Sequence, residues 1–468
     1  MGLLSDVLRG AMNEAADDLL FKMTKDYYTD NLLSVFSVVK RVGFFPAMEL
    51  WMRATQGKVL ERPLGTNLHL SRWEDLLLNP VHLHRLPVED THPIDQSVVI
   101  GPAARRPLHL QIPVMITGMS YGGALSQAAK VALAKAASEM GTATNTGESG
   151  FLPEERESAT RLIGQYNRGG YLNTPERYGQ LDAIEIQLGQ GAQGASPQRT
   201  QAKFIDKKMA EVYGLEEGED AVLHSRIPGI NSERDFEETV GRLKEETGVP
   251  VGVKLGASHW LEKELEVAVR AGVDFVVVDG AEGATHAASP TTEDDLGLPT
   301  IFAIARARRF LEARDFRDRI TLVASGGLFT PGQFLKALAL GADALYIGTA
   351  AVLALVAQQV EKVTPTEPPT QLVLQTGRLK DQFDPALGAE SVVKYLTACV
   401  QEMNAVMYSL GKTAVRDLEP ADLCAVDPFL ARALGVDYAG VAPAEQESFF
   451  QFGALLKAGA EHREPVLV

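Results

Sequence analysis

Cysteine is almost absent from this chain, whose 468 residues include only Cys399 and Cys424. Two thiolates cannot complete a four-cysteine zinc site, nor an iron–sulfur cluster, which needs three or four. A disulfide scaffold is excluded as well, because such frameworks rest on several cysteine pairs in a short secreted chain. We therefore expect no metal site and a protein from a reducing compartment.

Basic residues are scarce relative to acidic ones. Lys and Arg number 45 against 61 Asp and Glu, a formal net charge of −16. Nucleic acids and anionic membranes need concentrated positive charge, so we expect neither as a partner. The longest apolar run, Ala344 to Ala357, is short for a membrane span and contains Gly348 and Thr349. The N-terminus lacks the basic and apolar regions of a secretory signal, which predicts a cytoplasmic protein.

The length of the chain predicts one large domain with extensions, or two to three domains. Residues 1–110 form a partly helical extension, in which apolar residues at three- and four-residue spacing from Leu19 to Val39 indicate an amphipathic helix. We expect this helix to pack on the main domain, residues 111–363. The proline-rich segment Thr364–Pro369 leaves that domain as a loop. Residues 364–468 then form a C-terminal loop and helical extension.

Short β-branched runs alternate with helix-like stretches throughout the main domain. Such alternation is typical of βαβ units and a parallel sheet. Eight strands over this length predict the α/β class and a closed (β/α)8 TIM barrel, whose sites lie at the carboxyl ends of the strands. An open doubly wound sheet is the alternative, but it predicts one early phosphate loop rather than glycines at nearly every strand end. The expected strands are Val114–Ser120, Thr142–Glu148, Ala183–Gly189, Ala221–Ser225, Val249–Leu255, Phe275–Gly280, Ile320–Gly326 and Ala344–Gly348.

The residues at these strand ends indicate a ligand. Glycine-rich turns, Ser325–Leu328 and Gly348–Ala351, follow the last two expected strands, where barrels often bind a phosphate. Ile186–Gly194 places glutamines among glycines, and buried amides need partners that a ligand could supply. Lys254 lies inside an apolar run and should face a charged or electron-rich group. FMN satisfies this description, and so does a phosphorylated sugar substrate.

In order along the chain, these motifs resemble the FMN-binding synthase domain of glutamate synthases, over roughly residues 95–435. The chain is most similar to stand-alone members of that family, which lack the glutaminase domain. In keeping with this, no cysteine that could serve as a glutaminase nucleophile precedes Cys399. The motifs are Gly118–Gly122 (Gly-Met-Ser-Tyr-Gly), Asn145–Glu148, Gln190–Ala192, Val253–Leu255, Asp279–Thr285, Ser325–Leu328 and Gly348–Ala351.

The resemblance implies that FMN lies on top of the barrel, with its phosphate at the loops after the last two strands. Lys254 would stabilise negative charge at the N1–C2=O edge of the reduced flavin. Hydride would pass from N5 to 2-iminoglutarate, formed from 2-oxoglutarate and ammonia, which gives glutamate. Lys254 and Gln190 are the expected catalytic residues. The expected cofactor-binding residues are Gly118, Met119, Ser120, Asn145, Gln187, Gln190, Lys254, Gly280, Gly283, Gly326, Gly327, Gly348 and Thr349.

Several positions depart from the family pattern. The family carries a cysteine-rich segment after the eighth strand that binds a 3Fe–4S cluster, but the corresponding Val356–Thr376 contains no cysteine. No iron–sulfur cluster is therefore expected. Gln187 and Gln193 stand where lysines are usual, which removes the charge that would pair with a dicarboxylate. Gln127 replaces an acidic residue, and the loop Thr285–Pro290 is one residue longer than usual.

Other charged residues are candidates for substrate binding. Arg199, Lys203 and Arg226 could bind a carboxylate, and Arg226 is favoured because it follows the expected fourth strand, although a salt bridge within the barrel is an equal alternative. His259 and His286 follow strand ends and could act as acids near neutral pH, although most loop histidines have no such role. The expected substrate-binding residues are Ser120, Gln193, Arg199, Arg226 and His286.

These observations predict an FMN-dependent oxidoreductase that acts on a small imino, oxo or amino acid. Glutamate formation is the family expectation. The alternatives are an isomerase that uses FMN without net redox chemistry, and a non-catalytic flavin-binding or assembly protein. The expected partners are a small-molecule acid, an electron-donor protein or reductase, and further copies of the chain in a homo-oligomer.

Overall fold

The computed structural model describes residues 2–25, 33–285 and 288–450. The chain divides into two compact units, Met1–Glu61 and Arg62–Val468. The first unit contains the helices Gly2–Met23, Leu33–Val42 and Phe44–Gln56. Two separate helices thus carry the ends of the amphipathic pattern predicted from Leu19 to Val39, and its middle, residues 26–32, lies outside the described residues. No residue of Phe44–Gln56 is buried.

The second unit is built on eight parallel strands. They are β1 (Val114–Ile116), β2 (Thr144–Asn145), β3 (Leu162–Tyr166), β4 (Ala183–Gln187), β5 (Val251–Gly256), β6 (Phe275–Asp279), β7 (Thr321–Ser325) and β8 (Ala344–Ile347). Their order in the sheet is β1-β8-β7-β6-β5-β4-β3-β2. The Ile116 N–H donates to the Ala143 carbonyl just before β2, at 3.0 Å, which joins the two edges of the sheet. The predicted (β/α)8 barrel is confirmed.

Helices surround the barrel, and the remaining strands are short. The helices of this unit include Gln127–Glu139, Pro153–Ser158, Pro175–Tyr178, Lys207–Tyr213, Glu233–Thr247, Leu261–Ala271, Pro290–Asp294, Thr300–Ala313, Pro331–Ala339, Thr349–Val356, Pro385–Leu410 and Pro428–Leu434. The strands outside the barrel include Leu76–Leu78, Val98–Ile100, Leu108–Leu110, Gln198–Thr200, Ala221–Leu223, Leu423–Ala425 and Asp437–Tyr438. Local signals set the helix ends: Ser232 caps Glu233–Thr247 through the Asp235 N–H, and Gly248 ends it at φ 70°.

The amino-terminal end of the barrel is closed by an antiparallel hairpin, Val98–Ile100 with Leu108–Leu110. Side chains of this hairpin pack with apolar residues inside the barrel, such as Met115, Phe275 and Val323. This cluster fills the lower half of the interior, as expected for a packed barrel core. The carboxyl ends of the strands are therefore the open end, where a ligand can enter.

Two strand predictions are wrong, although the strand count is right. The structure adds β3, which was not predicted, and it takes the predicted strand at Ala221 out of the barrel. Ala221–Leu223 instead pairs antiparallel with Gln198–Thr200. Gly164 and Gln165 interrupt the apolar pattern of β3, yet both are buried. An added Cβ at Gly164 would lie 2.3 Å from Leu181 Cδ1, so packing accounts for the glycine.

We expect Gly252→Val in β5 to lower the free energy of unfolding by about 1–3 kcal/mol, because it overpacks the core. A Cβ at this position would lie 2.4 Å from ring atoms of the buried Phe275. Gly241 is the matched control, because it lies inside the helix Glu233–Thr247 with no atom within 4 Å of an added Cβ. Gly241→Ala should stabilise the fold by about 0.5–1 kcal/mol. Urea denaturation measures both changes, and equal effects would contradict this account.

Candidate active site

The interior of the barrel changes from apolar to polar toward its open end. Lys254 pairs in register with Gln187 of β4 and with Val277 of β6. Val277 belongs to the interior cluster, so the side chains of Lys254 and Gln187 also enter the barrel. Both are buried, although they are polar. A layer of polar side chains therefore lies directly under the open end.

Lys254 is held inside this layer by three groups. Its side chain is 2% exposed, and its Nζ lies 3.5 Å from Asp279 Oδ2. Nζ also donates to Thr117 Oγ1 at 3.4 Å and lies 6.0 Å from the ring centre of Tyr346. A buried ammonium needs such compensation, because desolvation of an unpaired charge is costly. A charged or electron-rich group was predicted to face Lys254, and the structure places Asp279 there, a carboxylate with no predicted role.

A hydrogen-bonded network lies beside this ion pair. Gln165 Nε2 donates to Glu185 Oε1 at 2.7 Å, and Asn145 Nδ2 donates to Tyr346 Oη at 3.1 Å. Burial raises the pKa of Glu185, although Lys254 opposes the shift. Burial, with the charge of Glu185, also raises the pKa of Tyr346 well above its usual value. Only Asn145 of these four was predicted, although the two-residue alternation of β4 and β8 would have pointed Glu185 and Tyr346 inward.

The backbone after β1 lies close against this layer. Thr117 to Ser120 are partly exposed at the open end. An added Cβ at Gly118 would lie 2.6 Å from Gln165 Nε2 and 2.9 Å from Asn145 Oδ1, so no side chain fits there. Gly147 has φ 70°, and its Cβ would lie 2.4 Å from the Ser120 nitrogen. The predicted residues Gly118, Met119, Ser120 and Asn145 are therefore brought together.

The loop after β4 folds over the ends of β5 and β6. The Gly191 N–H donates to Asp279 Oδ2 at 3.1 Å, and a Cβ on Gly191 would lie 1.7 Å from the Gly280 oxygen. Gln187 Nε2 donates to Gln190 Oε1 at 3.3 Å. Within the described residues, the buried Gln187 Oε1 has no hydrogen-bond donor. Gln187 and Gln190 thus contact each other at the edge of the polar layer, and one amide oxygen is left for a further donor.

Gln193 lies in the same loop and is held by its carbonyl oxygen. Its Oε1 accepts hydrogen bonds from Gln198 Nε2 and from Thr285 Oγ1, the latter at 3.3 Å. The side chain is 1% exposed. No acceptor for its Nε2 occurs in the part of the chain that the structure describes. A ligand that entered from the open end could supply this acceptor.

Glycines after β6, β7 and β8 form a cradle on the other side of the open end. Gly326 has φ 114°, and its Cβ would lie 2.6 Å from Thr300 Oγ1; Gly327 has φ 67°. Gly348 precedes the helix Thr349–Val356, whose first N–H groups lack intrahelical partners and can face an anion. Gly280 and Gly283 leave no room for a Cβ beside Thr300 and Asp279, respectively.

Two buried ion pairs support the site from behind, and neither was predicted. Lys130 Nζ lies 2.9 Å from Glu155 Oε1 and donates to the Asn145 carbonyl at 2.7 Å, which holds the end of β2. Arg168 binds Glu148 through two hydrogen bonds of 2.8 Å. Its third contact, to the Ser196 carbonyl at 3.1 Å, ties in the loop after β4.

The predicted cationic and histidine candidates lie apart from this arrangement or outside the described residues. Arg199 has a side chain that is 65% exposed and pairs with Asp220. Arg226 is exposed and follows the hairpin strand Ala221–Leu223, so it does not follow a barrel strand as predicted. His259 is also exposed, against Trp260. His286 lies outside the described residues. The exposed Lys203 lies over the ring of Phe204.

Among the described residues, no group of three or more His, Cys, Asp or Glu is placed to hold a metal ion. Cys399 is buried in Pro385–Leu410, where burial raises the pKa of its thiol to about 11, and Cys424 lies in the strand Leu423–Ala425. None of the helices that the structure describes combines the length and apolarity needed to cross a bilayer.

We expect Lys130→Met to lower the free energy of unfolding by about 3–5 kcal/mol at pH 8, because it leaves the Glu155 carboxylate buried without a cation. Burial already raises the pKa of Glu155. The folded variant will therefore bind a proton at a higher pH than the unfolded chain, so the loss should shrink as the pH falls from 8 toward 5. Urea denaturation across this range measures the effect.

The double variant Lys130→Met with Glu155→Leu is the control. It removes both charges, so its stability should recover in part and should lose this pH dependence. A loss in Lys130→Met that is the same at pH 8 and pH 5 would contradict a buried ion pair.

A known family model and curated relatives match most of this chain. Residues 74–413 match the family model described as the conserved region in glutamate synthase. A glutamate synthase large subunit-like protein of Rhizobium meliloti is 33% identical over 399 residues, which cover 81% of this chain and 90% of that protein. An archaeal-type glutamate synthase [NADPH] of Thermotoga maritima is 31% identical over 361 residues, 77% of this chain and 69% of that protein.

Solved structures share the fold. A flavocytochrome b2 double mutant with sulfite bound has a TM-score of 0.51 at 17% identity, covering 87% of each chain. The recombinant flavin-binding domain of baker's yeast flavocytochrome b2 has a TM-score of 0.50 at 16% identity, covering 86% of this chain and 87% of that one. At such low sequence identity, these similarities show the barrel fold alone. The match to the family model and the curated relatives go further: the chain belongs to the glutamate synthase family.

Proposed function

We propose that this protein is an FMN-dependent oxidoreductase that acts on a small imino, oxo or amino acid. The observation that carries the proposal is the buried ammonium of Lys254, held by Asp279 under the open end of the barrel. A fixed positive charge at this place can stabilise negative charge that develops on a bound flavin or substrate. Membership of the glutamate synthase family supports the same class of reaction.

The residues at the open end fit FMN. Gln187 Oε1 is a buried acceptor that has no donor among the described residues, and the ring of a flavin carries an N–H that could reach such a group. The cradle at Gly326 and Gly327 admits no side chain, and backbone N–H groups of such a glycine-rich turn before a helix can bind a phosphate. The helix that begins at Thr349 adds further N–H groups. We therefore assign Gly326, Gly327, Gly348 and Thr349 to the phosphate.

The side chains of the site then have distinct roles. Bound FMN would supply the two-electron hydride chemistry that no side chain here provides. Lys254 lies 3.5 Å from Asp279, which compensates for its burial, and its positive charge favours electron-rich states of a bound ligand. Ser120 and Gln190 are only partly buried, and we assign them to orienting the substrate. Asn145 and Gln165 hold the layer beneath them in place through Tyr346 and Glu185.

The freshly purified protein should absorb light with the resolved bands of an oxidised flavin, and denaturation should release FMN. The physical reason is the fit of the glycine cradle and the polar layer to that group. An absorption spectrum from about 300 to 700 nm, with identification of the released compound, tests this. A protein that holds no FMN, and takes none up when FMN is added, would refute the proposal.

Gly326→Ala should weaken FMN binding at least about tenfold, because the new Cβ meets Thr300 Oγ1 in a backbone conformation that favours glycine. Gly332→Ala is the matched control. It lies in the next helix, and its Cβ would meet nothing closer than 4.0 Å. Titration of the apoprotein with FMN, followed by flavin fluorescence, gives both affinities. Equal FMN affinities of the two variants would contradict the assignment of the FMN phosphate to this loop.

The reaction itself is tested by a half-reaction that needs no electron-donor partner. The FMN protein is reduced chemically without oxygen and mixed with ammonia and a series of 2-oxo acids that includes 2-oxoglutarate. We expect flavin reoxidation only when a 2-oxo acid and ammonia are both present, since the imine is the hydride acceptor. No reoxidation by any member of the series would contradict the proposed reaction. Turnover without a donor would indicate the isomerase alternative.

A further inference from the structure

In the described ranges of the chain, the polar layer contains no buried cation that is free to bind a carboxylate. Lys130, Arg168 and Lys254 are the Lys and Arg side chains that are buried among the described residues. They lie 2.9, 2.8 and 3.5 Å from the carboxylates of Glu155, Glu148 and Asp279, respectively. Each positive charge behind the open end is therefore already matched by a negative one.

Cations nearer the surface are also engaged or lie apart. The Arg62 side chain forms ion pairs with both Glu293 and Asp294, which follow β6 in the chain. Arg199 pairs with Asp220 in solvent, and Arg226 is exposed beyond the hairpin. Within the part of the chain that the structure describes, a second carboxylate of a dicarboxylic acid would thus find no partner charge in this layer. Burying an unpaired carboxylate is strongly unfavourable.

Gln193 offers a neutral contact instead. Its Oε1 is occupied by Gln198 and Thr285, so the amide orientation is set and Nε2 is the donor that remains. Nε2 is buried and has no acceptor in the described part of the chain. An unmade hydrogen bond of this kind is costly unless a ligand completes it. An uncharged carbonyl oxygen completes it without adding charge to the layer.

We propose that the substrate presents a neutral carboxamide to Gln193, in place of the second carboxylate of a dicarboxylic acid. The inference rests on the proposed function, because it names the substrate class of the same site. Gln193 is then the residue that selects an amide over an acid of the same shape. Selectivity follows from both the attractive contact and the absence of a compensating cation.

Calorimetric titration of the oxidised, FMN-loaded full chain tests this without turnover. The probes are matched pairs of equal shape: L-glutamine with L-glutamate, L-asparagine with L-aspartate, and succinamate with succinate. In at least one pair the amide should bind about tenfold or more tightly than the acid. The reason is that the second carboxylate of the acid meets no free cation among the described residues. An acid that binds as tightly as its amide in every pair, or the failure of every amide to bind, would overturn the inference.

Variants at Gln193 separate the hydrogen bond from general packing. Gln193→Met removes the donor at similar volume and should weaken amide binding about tenfold, whereas Gln193→Lys should shift the preference toward the acid. Gln201→Lys is the matched control, because it adds the same charge at an exposed position eight residues along the chain and should leave the preference unchanged. Unchanged amide binding in Gln193→Met would also overturn the inference.

The two proposals fail in distinguishable ways. FMN content and thermal unfolding are measured on each sample before titration, so a misfolded variant is recognised. A wild-type protein that holds no FMN refutes the proposed function. A wild-type protein that holds FMN and prefers acids refutes only the role of Gln193.

Discussion

The arrangement at the open end of the barrel depends on the ion pair between Lys254 and Asp279. Lys254 is almost fully buried, and the Asp279 carboxylate lies 3.5 Å from its ammonium and compensates for the loss of water. Loss of one member of such a pair typically costs about 3–5 kcal/mol. Asp279 also accepts the Gly191 N–H, and the backbone of Gly283 packs against its carboxylate. One carboxylate thus connects β5, β6 and the loop after β4.

This ion pair is possible because the barrel separates its two halves. The lower interior is filled by apolar side chains and sealed by the hairpin Val98–Ile100 with Leu108–Leu110, which supplies ordinary core stability. The upper interior can then hold charged and amide groups, each hydrogen-bonded to another. Burial raises the pKa of Glu185 in this setting. The buried cations of the described residues are each paired with a carboxylate, as Lys254 is with Asp279.

The sequence predicted the parts of this site that local pattern can encode. A lysine inside an apolar run and glycines at strand ends break the rules of a packed strand, so Lys254 and Gly326 stood out. The strand β3 did not, because Gln165 and Gly164 are explained only by Glu185 and Leu181, which are distant in sequence. The same holds for Asp279, which occurred in a recognised motif but whose partner across the sheet no local pattern reveals.

The errors at the surface have a related cause. Ala221–Leu223 has the composition of a barrel strand, but it pairs antiparallel with Gln198–Thr200 outside the barrel. Arg226 was thereby assigned to the wrong place, and the expected source of positive charge is exposed instead. The buried cations of the described residues are all paired and Gln193 remains a buried donor, so the site disfavours a second carboxylate and favours a neutral polar group in its place. The fold therefore constrains the reaction class, whereas the charge balance of one loop constrains which substrates can enter.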